Sequence, residues 1–225
     1  MMKKKLYKGS MVVLFAAIGL YLSGCKKSDS PYYDYTNTVQ TFKGSAMDYL
    51  KSKPNTFDSL LLVLDRFPFL KDSLTNQQVT LFAPVNENFA ASVKYLNQTR
   101  KAEGKAPVYL RTGDPDELLY MLTKYIIRGN KTTTAYTSSV DGITLNTIGF
   151  SYPMHIKAVK SNASGFVGGG ATTLEYSDMY GSTIQLNWVT TNTNAVNIKT
   201  NNATINILTP LHNFGFDEFT YRLDQ

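Results

Sequence analysis

The order of apolar and polar positions divides the chain into four parts. An apolar run of twelve residues, Met11 to Leu22, comes first, and a polar stretch without periodicity follows to about position 44. Between 55 and 129 apolar residues recur every three or four positions, which indicates amphipathic helices. From Thr132 onward β-branched and alternating patterns dominate, which indicates strands.

The helical part begins with a predicted helix from Asn55, with Asn55 as N-cap and Asp58 at the third position. Its apolar residues at helical spacing are Phe57, Leu60, Leu61, Leu64 and Phe67. Pro68 ends or kinks this helix. The run from Val79 to Pro84 predicts a short buried strand that the proline terminates.

Two more helices follow in the pattern. The first has Asn86 as its cap, carries Phe89 on its apolar face and extends to about position 100. The second begins at Asp114, with Pro115 in its first turn, and is predicted to end at Gly129.

The second half predicts a series of strands separated by turn residues. They cover 143–151, 154–160, 172–176, 183–190, 195–199 and 204–208, with a closing strand at 219–223. Helices followed by strands indicate a single α+β domain over 45–225, with helices packed on a wedge or sandwich of mainly antiparallel strands.

The beginning of the chain has the layout of a signal peptide. Lys3, Lys4, Lys5 and Lys8 precede the apolar run. Twelve helical residues span roughly 18 Å, well short of the ~30 Å hydrocarbon core of a bilayer. Residues 1–24 are therefore interpreted as a cleaved signal rather than as a membrane span.

The cleavage region Leu22-Ser23-Gly24-Cys25 resembles a bacterial lipobox. This resemblance implies that Cys25 is lipidated and acylated and becomes the new N-terminus, with 25–44 as a tether. No Asp follows the cysteine directly, and Lys27 with Asp29 resembles a weak export tag. We expect an outer-membrane protein exposed at the cell surface, and an orientation toward the periplasm stays open.

Charge and composition exclude several functions. Removal of the four signal lysines from 23 basic residues leaves 19 against 17 acidic residues, a balance of about +2. We therefore expect no nucleic-acid partner. One cysteine allows no intramolecular disulfide, and two histidines are too few for most histidine-based metal sites. No metal and no cofactor are predicted.

Two segments resemble motifs of the fasciclin (FAS1) family. Thr80 to Phe89 (TLFAPVNENF) is close to the first motif, and Asn202 to Leu208 (NATINIL) is similar to the second. The resemblance covers roughly 45–223 and implies a FAS1-like domain. The positions that match the family pattern, interpreted as structural, are Thr80, Phe82, Pro84, Asn86, Phe89, Tyr125, Gly129, Asn202, Ile205 and Ile207.

The chain also departs from the family. The family's two motif histidines fall at Tyr125 and Asn206, so no integrin-binding role is carried over. Residues near 165–188 look inserted relative to a minimal domain, and inserted loops are candidate binding surfaces. Phe166, Tyr176 and Tyr180, together with Trp188, form either a sugar-stacking surface there or part of the core.

No nucleophile–base pattern stands out in the sequence, which favours a protein that is not an enzyme. Asp114, Asp116 and Glu117 are explained as acids at a helix start, and the glycines of 165–170 as a loop. His155 and His212 are interpreted as structural, and Ser73 is a candidate glycosylation site.

Three hypotheses follow from these patterns. The first is an envelope-anchored binding or adhesion lipoprotein, accessory to outer-membrane glycan uptake. The second is an assembly subunit of an outer-membrane transporter. The third is a hydrolase with a site built from dispersed residues.

Overall fold

In the computed structural model, residues 40–162 and 167–225 are described. Within them lie six α-helices and eight strands. The helices are α1 (Ala46–Lys51), α2 (Asp58–Leu64), α3 (Pro68–Asn76), α4 (Asn86–Ala102), α5 (Pro115–Thr123) and α6 (Phe219–Leu223). The strands are β1 (Gln40–Thr41), β2 (Val79–Ala83), β3 (Ile126–Arg128), β4 (Ile143–Asn146), β5 (Pro153–Lys160), β6 (Thr172–Asp178), β7 (Val189–Lys199) and β8 (Ala203–Leu208). The predicted α+β class is confirmed.

The strands form a mixed sheet that nearly closes on itself. Their order is β3-β2-β8-β7-β6-β5-β4, and β1 pairs with β7. Most neighbours are antiparallel, whereas β2 and β8 run parallel. A bridge between Ile127 and Thr147 joins β3 to the residue after β4. Register shifts at Thr193, Ala195 and Ile198 interrupt the pairing of β7 with β8, as bulges do where a strand bends.

Several helix ends differ from the sequence prediction because their caps come from elsewhere in the chain. Asn55 has a left-handed backbone (φ 64°) and is not the N-cap of α2, which begins at Asp58. The Ser59 amide of that helix donates to the Asn86 side chain instead, at 2.8 Å. Asn86 is therefore the first residue of α4 and caps α2, a partner that helix-start rules applied along the chain do not find.

Other boundaries are corrected by tertiary pairing. The helix expected to reach Gly129 ends at Thr123, and 126–128 pair with β2 as β3. The expected closing strand at 219–223 is the helix α6. Residues 183–188 form a turn with a short 3-10 segment, and β7 begins only at Val189. The α3 helix was not predicted; Pro68 occupies its first position.

The described part begins inside the stretch assigned to the tether. Gln40 and Thr41 pair with Ile198 and Lys199 of β7, so these two residues belong to the sheet. The predicted signal peptide, Cys25 and the predicted tether up to 39 lie outside the described residues. Across 40–162 and 167–225, no helix is both long and apolar enough to cross a membrane.

Candidate functional site

The connection between β8 and α6, residues 209–218, alternates between inward and outward side chains. His212, Phe214 and Phe216 are buried, whereas Leu211, Asn213 and Asp217 are exposed. The segment is a series of turns, closed by bonds such as the one from the His212 amide to the Thr209 carbonyl at 3.1 Å, and one side of it lies on the core. We call this segment the 209–218 loop. It places polar groups on the surface while its aromatic residues hold it down.

Asn88, near the start of α4, fixes the first half of the loop. Its Nδ2 donates to the carbonyl oxygens of Thr209 (2.9 Å) and His212 (2.7 Å). Its Oδ1 accepts from the Val85 amide at 2.7 Å. Asn88 is fully buried, so these contacts satisfy a polar group that is costly to leave unpaired. It stands within the first FAS1-like motif, but sequence reasoning did not single it out.

Tyr125 and His212 form a buried pair under the same loop. The Tyr125 hydroxyl lies 2.6 Å from Nε2 of His212 and accepts from the Gly215 amide at 2.8 Å. Because the hydroxyl hydrogen has no other acceptor among the described residues, it is donated to Nε2. A neutral imidazole then carries its hydrogen on Nδ1. Burial lowers the pKa of His212 from 6.5 to about 3, which keeps the ring neutral.

An ion cluster fixes the second half of the loop. Lys124 is completely buried, and its Nζ contacts Asp178 Oδ2 at 2.5 Å and Glu218 Oε2 at 2.9 Å. The Tyr152 hydroxyl donates to the other Asp178 oxygen at 2.6 Å. Burial, and after it this bond to Asp178, raise the pKa of the Tyr152 hydroxyl. Buried charges require this kind of complete pairing.

The ion cluster continues outward to α5 and α6. Arg222 donates from Nε to Glu218 and from Nη1 to Glu117, both at 2.6 Å, and its guanidinium lies 3.9 Å from the centre of the Tyr120 ring. The Lys124 ammonium also faces the Tyr120 ring. The cluster therefore joins both helices to the end of the 209–218 loop.

The backbone of the loop turns sharply where these anchors meet. Gly215, Phe216 and Asp217 have φ values of 87°, 53° and 67° in succession. For Phe216 and Asp217 this left-handed conformation is strained and persists only when surrounding contacts fix it. Phe216 has such contacts: its carbonyl accepts from the Tyr180 hydroxyl, and its ring packs on Tyr125 with centroids 5.4 Å apart.

Two clefts open on either side of the loop. They share Asn213 and Asp217, whose side chains are hydrogen-bonded from Nδ2 to Oδ1 at 2.9 Å. The first cleft, about 360 Å³, lies against α4 and α6, and the second, about 270 Å³, lies against the start of β7. The remaining residues of the first are Ala91, Ser92, Tyr95, Phe219 and Thr220. Those of the second are Val189, Thr190, Thr191, Asn192, Thr209, Leu211 and His212.

The motif residues named from the sequence line neither of the two clefts, and the first motif reaches the 209–218 loop at one end. Thr80 Oγ1 donates to the Gly129 carbonyl at 2.7 Å, and the Phe82 amide donates to the Tyr125 carbonyl at 2.9 Å. Phe89 stacks on Phe214 of the loop with centroids 4.2 Å apart. Phe89 therefore places the end of the first motif under the 209–218 loop, whereas Thr80 lies beside Thr204 at the opposite end of β2.

The second motif runs parallel to the first along β8, from Asn202 at the far end to Leu208 next to the 209–218 loop. Asn202 Nδ2 donates to the carbonyls of Leu74 and Gln77, and its Oδ1 accepts from Ala46. Pro84 and Ile205 are buried, and Ile207 is half-buried. The motif residues are thus spread along β2, β8 and their ends, and do not form one site.

For the aromatic residues near 165–188 the sequence left a sugar-stacking surface and a part of the core open, and the structure decides this for Tyr176. Tyr176 is fully buried, stacks on Phe82 with centroids 3.8 Å apart and donates its hydroxyl to the Lys124 carbonyl. It is core, and a binding role for its ring is wrong. Tyr180 is partly exposed, but its hydroxyl is bound to the 209–218 loop. Trp188 is half-buried and packs against His155. Phe166 lies outside the described residues.

The remaining candidates have structural surroundings. Ser73 is buried within α3 and donates to the Phe69 carbonyl, so a folded domain does not offer it for glycosylation. Asp114 accepts from the amides of Asp116 and Glu117 as an N-cap. The described residues contain no group of three side chains suited to a metal ion.

The chain was compared with family models, with curated proteins and with solved structures. No family model and no curated protein matches the chain. Among solved structures, the chain is similar to a FAS1 domain pair from the insect cell adhesion molecule Fasciclin I, with 14% identity and a TM-score of 0.47. The match covers 76% of this chain and 46% of that chain, so the present chain spans less than half of its neighbour's length. The neighbour is of the family that the two sequence motifs resemble.

Proposed function

We propose that this protein is a lipid-anchored binding protein of the cell envelope, which captures a glycan at the two clefts of the 209–218 loop. The observation that carries the binding role is a preformed polar surface between two clefts. Asn88 of α4, Lys124 directly after α5 and Tyr180 shortly after β6 hold it in place. Preformed clefts with a few convergent polar groups are the usual form of a ligand site.

The anchoring part of the proposal is supported by the sequence. The lysine-rich start, the short apolar run and Cys25 stand in the order of a lipoprotein signal. Several acyl chains on one residue provide stable attachment, since each buried methylene contributes about 0.8 kcal/mol. We place the protein at the outer membrane and facing the cell surface, where glycan capture assists an outer-membrane importer.

The ionisable groups beneath the loop support binding rather than catalysis. Lys124, Asp178 and Glu218 are paired with one another, and His212 Nε2 is engaged by Tyr125. A general base needs a free acceptor within reach of its substrate, whereas both Asp178 oxygens, Glu218 Oε2 and His212 Nε2 are already hydrogen-bonded.

The anchor is tested by labelling cells with a fatty-acid analogue. The wild-type protein is expected to incorporate the label and to fractionate with the outer membrane, whereas Cys25→Ser is expected to do neither. Surface exposure is tested separately by proteinase treatment of intact cells. An unlabelled wild-type protein, or a Cys25→Ser protein that stays in the membrane fraction, contradicts the anchor.

Glycan capture is tested on an oligosaccharide array with the full mature chain. Retention of at least one oligosaccharide is expected, and retention of none contradicts capture. The genomic neighbourhood provides an independent check, because importer and glycosidase genes are expected beside the gene if the protein assists glycan uptake.

A second candidate function, an assembly subunit of an outer-membrane transporter, is favoured by one feature. The turn between β6 and β7 exposes two large apolar side chains, Ile184 (59% exposed) and Leu186 (96%). Exposed apolar groups close together are characteristic of protein contacts. Purification from native membranes in mild detergent tests this role: a stable partner that is lost from the double variant Ile184→Ser/Leu186→Ser would favour it over glycan capture.

A further inference from the structure

The two clefts beside the 209–218 loop share a wall. Asn213 and Asp217 line both, and the hydrogen bond between their side chains forms the ridge that separates them. Each cleft is near or below the small end of the roughly 300–1,000 Å³ range of ligand pockets. Volumes of this size suit one ring each, and a ridge between them suits a ligand made of linked units.

The polar groups around the ridge include a free donor and a free acceptor. His212 lines the second cleft, and its Nδ1–H has no partner among the described residues, because only Nε2 is used by Tyr125. The Asp217 carboxylate is exposed, and only Oδ1 accepts a side-chain hydrogen bond. A hydroxyl group both donates and accepts, so a polyol matches this pair.

A third group in the second cleft has an unmet hydrogen bond. Thr191 lines that cleft and is only 4% exposed, yet its hydroxyl has no partner in 40–162 or 167–225. Thr193, two residues further along β7, is equally buried but accepts from the Leu174 amide at 2.8 Å. An unpaired buried hydroxyl is unfavourable unless a ligand or water completes it.

The first cleft supplies an aromatic face and no cation. Tyr95 lies on its rim and is 64% exposed, so its ring is available for stacking. Neither cleft is lined by Lys or Arg, and Asp217 is the one carboxylate that both contain. An anionic ligand would lose its hydration without gaining a cationic partner and would be repelled by Asp217.

We propose that the two clefts are adjacent subsites for consecutive units of a neutral oligosaccharide. One unit stacks on Tyr95, the next receives the Nδ1–H of His212, and the Asp217 carboxylate between them accepts from hydroxyls of both. This inference rests on the proposed glycan capture and narrows it to uncharged saccharides of at least two units.

The test uses the full lipidated chain in a detergent without a sugar headgroup. Calorimetric titration is carried out with maltohexaose, cellohexaose, xylohexaose and mannohexaose, with hexagalacturonate as the acidic probe. At least one neutral probe is expected to bind, more tightly than its own monosaccharide, and hexagalacturonate is not. Tighter binding of hexagalacturonate than of every neutral probe would overturn the inference while leaving glycan capture intact.

Matched variants locate the site. Asp217→Asn is expected to weaken binding about tenfold, since it replaces a charge-assisted hydrogen bond by a neutral one. Asp72→Asn is its control, because Asp72 accepts from Asn76 Nδ2 in an equally exposed pair four residues apart. Tyr95→Ala is expected to weaken binding by a similar factor, and its control is the exposed Tyr109→Ala, outside both clefts.

Thr191→Val separates a binding role from a structural one. It is expected to weaken binding severalfold without lowering the melting temperature, because no protein hydrogen bond is lost. Thr193→Val is expected to lower the melting temperature without weakening binding, because the Leu174 amide loses its acceptor. A neutral oligosaccharide that binds equally well to Asp217→Asn, Tyr95→Ala and Thr191→Val would overturn the subsites but not glycan capture. No binding of any saccharide would overturn both the subsites and glycan capture. The lipid anchor would still be tested separately by fatty-acid labelling.

Discussion

Two connections of equal length, residues 209–218 and 179–188, leave the sheet and are fixed in different ways. The first joins β8 to α6, and the second joins β6 to β7. The 209–218 loop is held by three buried side chains of its own, His212, Phe214 and Phe216. It is also held by contacts with four residues elsewhere in the chain, namely Asn88, Tyr125, Lys124 and Tyr180. Residues 182–188 are held largely by bonds among themselves, such as the one from Trp188 Nε1 to the Ser182 carbonyl at 2.8 Å.

The comparison shows that aromatic content is a poor guide to a binding surface. The 165–188 region was predicted as a candidate binding surface because it looks inserted and carries several aromatics, but Tyr176 belongs to the core. The 209–218 loop contains Phe214 and Phe216, which are buried and leave polar groups on the surface. A site needs rigid support under its polar groups, and that support consists of residues that do not themselves meet a ligand.

Removal of the buried cation should produce the largest effect. Lys124→Met leaves Asp178 buried without a counter-charge and is expected to lower the free energy of unfolding by about 3–5 kcal/mol. Urea denaturation measures this. Addition of Asp178→Asn is expected to recover part of the loss, and Lys71→Met, at an exposed pair with Asp65, should cost less than about 1 kcal/mol. Equal losses for the two lysines would contradict the ion cluster as an anchor.

Asn88→Ala tests the other end of the loop. Three backbone groups lose their partner, so a loss of about 3 kcal/mol is expected, together with faster amide hydrogen exchange in 209–214. Asn86→Ala is the matched control: it removes the cap of α2 and should cost about 1 kcal/mol without affecting the loop. Unchanged exchange in 209–214 would mean that Asn88 does not clamp it.

The stability of the loop should also depend on pH through His212. Because burial lowers the folded-state pKa from 6.5 to about 3, protons bind preferentially to the unfolded chain. The stabilisation is complete above pH 6.5 and declines as the pH falls toward 3, by roughly 2.5 kcal/mol at pH 4.5. Urea midpoints at pH 7.5 and 4.5 measure it, and His212→Gln should lose that part of the pH dependence. Nitrogen NMR of the imidazole should show hydrogen on Nδ1; a ring that titrates near pH 6 would refute the buried pair.

The smallest effect is expected in the second connection. Leu186 is almost fully exposed, so Leu186→Ser should change the free energy of unfolding by less than about 0.5 kcal/mol. The same urea measurement applies. A larger loss would show that the 182–188 turn is anchored as firmly as the 209–218 loop, and the contrast between the two would fail.

Local patterns predicted the elements well where both the period and the end signals lie within one segment. The strand Val79–Ala83 with its stop at Pro84 and the helix start at Asp114 are examples. Prediction failed where a partner came from far along the chain. Asn55 was predicted to cap the first long helix, but Asn86 caps α2 instead, because its side chain accepts from the Ser59 amide 27 positions away. The segment 219–223 alternates like a strand, but the described sheet gives it no strand partner.

The candidate site was beyond local reasoning for the same reason. The alternation in 209–218 is visible in the sequence, but its significance depends on Asn88, Tyr125 and Lys124, which lie roughly 90–120 positions upstream. His212 was interpreted as structural, and its Tyr125 partner could not be inferred from spacing.

What the sequence determined by itself is the alternation of helices and strands and the resemblance of residues 22–25 to a lipobox, because these depend on residues close together in the chain. The tertiary structure alone decided which polar side chains are buried and paired and which remain at the surface. Burial and pairing arise from contacts between distant segments. From the sequence, a lysine such as Lys124 is predicted at the surface, because the sequence does not show that Asp178 and Glu218 pair with it in the interior.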